Sequence, residues 1–214
     1  MKKIINIISK ISIFSLIGIG LNIFLIYTFL KLWIHPQVSD IEMIFNFTVL
    51  MFFEFVMVHS GVFMSILGRS WKGWLFFIIL YGLCALAFNS IVSGNQILIL
   101  YGVVVFNRML PNIQRKPEDT EKKEGIKGIK EEIIISIIYA VIYFFLFVTI
   151  IYCASHVPPF GLTKEFLESA NFGKINTISG DFSDKPYIMM CFGVLYYLFL
   201  TLLDVILIIR KVKK

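Results

Sequence analysis

The stretch IEMIFNFTVLMFFEFVMVHSGVFMSIL, residues 41–67, decides the fold class. It contains no Lys or Arg, and its acidic residues are Glu42 at the start and Glu54 at the centre. A helix rises about 1.5 Å per residue, so roughly 20 apolar residues cross a hydrocarbon core of about 30 Å. Working outward, comparable apolar runs occupy residues 11–33, 74–92, 94–110, 133–155 and 187–209, separated by short polar breaks. The composition agrees, with 58% hydrophobic and 16% charged residues and a mean hydropathy of +0.84. The expectation is an all-α, polytopic membrane helix bundle of six transmembrane helices. The chief partner is then the lipid bilayer, with self-association or other membrane proteins as further partners.

Charge sets the expected orientation. With the N-terminus cytoplasmic, the inner segments hold Lys2, Lys3 and Lys10; Arg69 and Lys72; Arg108, Arg115, Lys116, Lys122, Lys123, Lys127 and Lys130; and Arg210, Lys211, Lys213 and Lys214. That is 16 of the 20 basic residues, which leaves Lys31, Lys164, Lys174 and Lys185 outside. Cytoplasmic loops carry the Lys/Arg excess in membrane proteins, so both termini are expected inside. Removing the short run 94–110 would move the most basic loop to the other face, so parity supports counting it as a span. The net charge of +6 and pI near 9.2 follow from these topology-setting residues beside anionic lipid rather than from nucleic-acid binding. The N-terminal MKKIINIISK precedes an apolar run too long for a secretory signal core and has no small-residue cleavage site. It is expected to remain as the first span.

The breaks divide the chain into a four-helix part (1–110), a charged cytoplasmic loop (111–132) and a two-helix part (133–214) with an outer loop at 156–186. The turns His35–Asp40 and Gly68–Gly73 are tight, so neighbouring helices pack antiparallel. Trp33, Trp71 and Trp74 stand at expected membrane edges, where an amphipathic indole is favoured. The segment PNIQRKPEDTEKKEGIKGIKEE lacks aromatics and is expected to be a mobile connection or a short surface helix. In the outer loop, TKEFLESAN reads as a short helix with Thr163 as N-cap and Gly173 as a stop. Neither an internal repeat nor the paired interrupted helices of inverted-repeat transporters is visible.

Motif chemistry is sparse. Cys84, Cys153 and Cys191 have no metal-ligand spacing, and small apolar side chains in packed helices is the plain reading. Cys153 and Cys191 share a depth that would permit a disulfide. His35, His59 and His156 lie on separate elements, and no phosphate loop, nucleophile elbow or HExxH appears, so no metal and no cofactor is expected. Asn46-Phe47-Thr48 matches a glycosylation sequon but falls within a span.

What remains is polar residues within the bilayer. A charge at the depth of Glu54 costs roughly 2.5–3.5 kcal/mol on insertion scales, which makes it a site hypothesis by default. At 100° per residue, Glu54 shares a face with Phe47 and with Gly61, Ser65 and Gly68, small residues that let helices approach. Three roles are open: a neutral, hydrogen-bonded structural carboxyl, a proton- or cation-handling group, or a catalytic acid. His59 lies 140° away on a stripe with Phe52, Phe55, Phe63 and Ile66, so a direct Glu54–His59 pair is not expected. Asp204 shares a face with Met190, Gly193, Tyr197 and Thr201, and lies near Arg210 and head-group water. In the third run Gly82, Ala85 and Asn89 align, and in the fifth Ser136, Ala140 and Tyr143. Asn22 and Asn46 add hydrogen-bonding groups.

Three functional classes fit this inventory. One is a small-solute or ion transporter, proton-linked, with Glu54, Asn89, Tyr197 and Asp204 along its path. Another is a non-catalytic accessory or assembly subunit packed through Gly61, Ser65, Gly82, Ala85 and Gly193. The third, an intramembrane enzyme, lacks a nucleophile–base pair, so no catalytic residue is assigned. The Ile, Phe, Lys and Asn bias points to a bacterial cytoplasmic membrane. The topology has a direct check: single cysteines placed at Lys174 and Thr120 are expected to react with a membrane-impermeant reagent from opposite faces. Labelling from one face would remove the six-span arrangement.

Overall fold

The computed structural model of the chain describes residues 13–67, 71–91, 126–175 and 184–213, with 95, 98, 99, 102 and 180. Among these, every regular element is helical: α1 (Ile13–Ile34), α2 (Ile41–Leu67), α3 (Trp71–Asn89), α4 (Ile126–Tyr152), α5 (Lys164–Ser169), α6 (Phe172–Ile175) and α7 (Pro186–Lys213). Four of them, α1, α2, α4 and α7, contain stretches long and apolar enough to cross a membrane. The apolar part of α3, Leu75–Asn89, is shorter. Apart from 95, 98, 99 and 102, the run 94–110 lies outside the described residues, as do the turn at 68–70 and the charged segment 111–125.

The helices are apolar on both faces, and this identifies their solvent. In α4, Tyr143, Leu146 and Ile150 are buried at i, i+3 and i+7, while Val141, Phe144, Phe145 and Val148 are exposed. Residues of the same type on the outward face are what lipid rather than water permits. The helices differ in how deeply they are packed. Of the candidate span in α2, 72% is buried, against 17% of that in α4. The central helix is therefore α2, packed against α3, α4 and α7, while α7 also packs along α1 and α4.

Three boundaries differ from the sequence reading, each for a local reason. α3 covers Trp71–Asn89 rather than 74–92; the Ser90 hydroxyl donates to the Ala87 carbonyl at 2.7 Å, offering the backbone an alternative to another helical turn. α4 begins at Ile126, so residues 126–132 of the charged loop are helical; Lys and Glu are good helix formers, and the span continues from them. In the long loop, Thr163 caps α5 as expected, its Oγ1 accepting from the Phe166 N–H at 3.3 Å. The stop comes at Asn171 (φ 55°), however, and Gly173 lies inside α6. Asn tolerates the left-handed region, so a Gly was not required.

The long loop docks on the α1–α2 corner. Trp33 is buried there, its Nε1–H donating to the Pro158 carbonyl at 2.9 Å, and Phe160 packs edge-on at 5.0 Å. Its indole thus lies beneath the loop. The Gly161 N–H donates to the Trp33 carbonyl at 3.1 Å, and a Cβ on Gly161 would fall against the Pro36 ring and 2.7 Å from the Ile34 carbonyl oxygen. Lys31 and Asp40 pair at 3.5 Å across the corner.

α1 and α7 approach most closely at Gly193. A Cβ there would lie 2.5 Å from Cε1 of Phe29. That ring cannot easily retreat, since Phe47 meets it at 4.8 Å and Tyr197 stacks on it at 5.9 Å. At Gly82 an added Cβ would meet nothing within 4 Å. Gly193→Ala is therefore expected to destabilise the chain by about 1–3 kcal/mol through overpacking, with partial recovery when combined with Phe29→Leu. Gly82→Ala is expected to be neutral or slightly stabilising, because Ala is the better helix former. Thermal unfolding in detergent, followed by circular dichroism, checks both.

Candidate functional site

Glu54 lies midway along α2, about 20 Å from either end at 1.5 Å per residue. Its side chain is 0% exposed, beneath helices α4 and α7. Tyr196 of α7, also wholly buried, donates its hydroxyl to Glu54 Oε1 at 3.0 Å. A phenol is well suited to this place: its ring packs like a core residue while its O–H serves the carboxyl. The Tyr196 ring is held by Tyr143 at 5.0 Å, edge-on, and by Tyr197 at 5.1 Å. Phe47, two turns earlier on α2, is buried against Phe29 of α1. Gly61 and Ser65 continue α2, but their side chains lie outside the described residues.

A second polar cluster joins three helices. Asp204 of α7 accepts from the Tyr139 hydroxyl of α4 at 2.8 Å through Oδ1, and from Asn22 Nδ2 of α1 at 3.4 Å through Oδ2. Asn22 is buried, whereas Asp204 and Tyr139 are half-buried. The sequence suggested head-group water or a basic group as the partner of Asp204; the structure shows neutral donors from two neighbouring helices. Thr201, one turn earlier, donates to the Tyr197 carbonyl of its own helix at 2.8 Å.

The structure separates the remaining path residues. Tyr197 is buried against Phe29, and the residue that reaches Glu54 is its neighbour Tyr196. Asn89 closes α3, its Oδ1 buried without a hydrogen-bond partner among the described residues. Ala85 is fully buried in the α3 stripe Phe77, Tyr81, Ala85. His59 does not pair with Glu54; its Nδ1 lies 2.8 Å from the Phe55 carbonyl, which makes that nitrogen the protonated one, and its ring lies 4.1 Å from Phe55. Tyr143 nevertheless touches both neighbourhoods, its ring 6.0 Å from that of His59.

An open depression of about 430 Å³ lies at the long loop, lined by Lys164, Leu167, Glu168, Asn171, Phe172, Gly173, Lys174 and Asp184. None of these belongs to the Glu54 or Asp204 clusters. At its rim, Glu165 has its carboxyl held below the usual range by its own backbone N–H and by Thr163. Among the described residues no three His, Cys, Asp or Glu side chains gather as a metal ion would need, and the three cysteines are free thiols. No protein-family model, curated protein or solved structure matches this chain.

The tyrosine partners escaped the sequence reading because both Tyr196 and Tyr197 flank the face set by Gly193, one at i+3 and the other at i+4. Only the position of α2 selects between them. Removing the selected hydroxyl has a measurable consequence. Tyr196→Phe takes one donor from a buried carboxyl and is expected to cost about 0.5–2 kcal/mol in detergent unfolding, more than Tyr27→Phe on the exposed face of α1.

Proposed function

We propose that the chain is a multi-pass protein of the bacterial cytoplasmic membrane, with six spans and both termini inside, acting in proton-linked transport of a small solute or ion. The charge asymmetry supports the topology, and the aliphatic outward faces support the membrane. The observation that carries the transport reading is Glu54: a carboxyl fully buried at the middle of the central helix, hydrogen-bonded to a phenol from another helix. The phenol keeps Oε1 hydrogen-bonded in both protonation states, because it donates to the carboxylate and can accept from the acid. Asp204 of α7, with Tyr139 and Asn22, supplies a second hydrogen-bonded carboxyl.

The accessory-subunit reading is favoured by one specific observation, the complete burial of Glu54 beside the Tyr196 and Tyr143 rings. The two readings part on one substitution. A carboxyl that only makes a hydrogen bond is nearly isosteric with an amide, whereas a group that must titrate is not. Glu54→Gln in reconstituted vesicles is expected to fold like the parent and to lose pH-driven flux. Unchanged flux in a folded variant would end the proton-handling reading. Loss of folding together with flux would make Glu54 structural and favour the accessory subunit.

A further inference from the structure

Tyr143 of α4 contacts the elements of both partners of the Glu54 bond. It is almost wholly buried, and its hydroxyl donates at 2.5 Å to the carbonyl of Met51, three residues before Glu54 on α2. Inside a helix that carbonyl already accepts from the N–H four residues on, so its second lone pair is what Tyr143 takes. The same ring meets Tyr196 edge-on at 5.0 Å and Phe192 edge-on at 4.9 Å, both on α7. One side chain therefore ties the α2 backbone beside Glu54 to the α7 surface that carries its donor. Offset and edge-on aromatic contacts have preferred angles, so they restrict how the Tyr196 ring can swing.

We infer that Tyr143 is a positioning residue for Glu54: it sets the separation of α2 and α7 at this level and so aims the Tyr196 hydroxyl at Oε1. The inference deepens the proposed function but rests on it only for its purpose, since the geometry it concerns exists whether or not Glu54 carries a proton across. A hydroxyl that merely filled space would be replaceable by hydrogen at no cost to the carboxyl. A hydroxyl that anchors the ring would not, because the ring in Tyr143→Phe is free to slide along α2 and to release Tyr196. The ionisable groups near Tyr143 are His59 of α2, at 6.0 Å between rings, Tyr196 of α7, and Tyr139 one turn away on its own helix.

The test reads the carboxyl itself. In lipid-reconstituted full-length protein, the infrared stretching band of Glu54 is identified by its loss in Glu54→Gln. Tyr196→Phe, which removes the donor outright, is expected to displace that band, and Tyr143→Phe to displace it in the same direction by a smaller amount, with helix content unchanged. Tyr143→Leu, which also removes the ring, is expected to give a displacement at least as large as Tyr143→Phe. A band that moves in Tyr196→Phe but coincides with the parent in Tyr143→Phe would overturn the positioning role. So would a band that neither substitution moves. Flux measured in parallel keeps the two ideas apart: unchanged flux in Glu54→Gln defeats proton transport, while the band shifts still decide the role of Tyr143.

Discussion

Lipid offers no hydrogen bonds, and every polar group carried into it must find a partner within the protein. The arrangement of these helices follows from that constraint. Backbone groups are satisfied by helix formation, which leaves the side chains of Asn22, Asn46, Thr48, Glu54 and Asp204 to be placed. Thr48 bonds back to the Ile44 carbonyl of its own helix at 3.0 Å. Glu54 and Asp204 have no such local solution, and each is met by a hydroxyl from a different helix. Helices that share no hydrophobic drive toward one another in lipid are thereby given specific neighbours and a specific register.

The weight of this constraint falls on α2. It is the most enclosed helix, and the aromatic residues around it come from all sides: Phe29 from α1, Phe88 from α3, Tyr143 from α4, Phe192 and Tyr196 from α7. Aromatic rings suit such a core because they fill volume with few rotamers and, for tyrosine, bring a polar tip. Between α1 and α7, Gly193 lets the Phe29 ring lie against the α7 backbone, whereas Gly82, equally small, faces open space.

At the α1–α2 corner the constraint takes another form. The loop after α4 covers Trp33 and supplies the carbonyl of Pro158 to its indole N–H. Phe160 adopts φ of 44°, a conformation bulky residues rarely take, so that its ring can close over Trp33 while Gly161 slips beneath Pro36. The loop is consequently part of the packed structure on that face, buried through Leu162, Ala170 and Phe172.

Hydropathy and charge spacing determined the helical class, the bounds of α2, and the isolation of Glu54 as the acidic residue at the middle of that helix, because these depend on the thickness of a bilayer and on the rise of a helix alone. Helical periodicity also separated Glu54 from His59 correctly, since 140° around one helix is a local quantity. Helix ends were less legible: Ser90 and Asn171 end their helices through side-chain and left-handed options that compete with continuation only by small margins. The partners were decided by tertiary structure. Tyr196 rather than Tyr197 reaches Glu54, Tyr139 and Asn22 donate to Asp204, and Gly193, unlike Gly82, is a point of close contact. Each of those choices depends on the rotation of one helix relative to another, and rotation is set by many apolar contacts whose sum no single stretch of sequence contains.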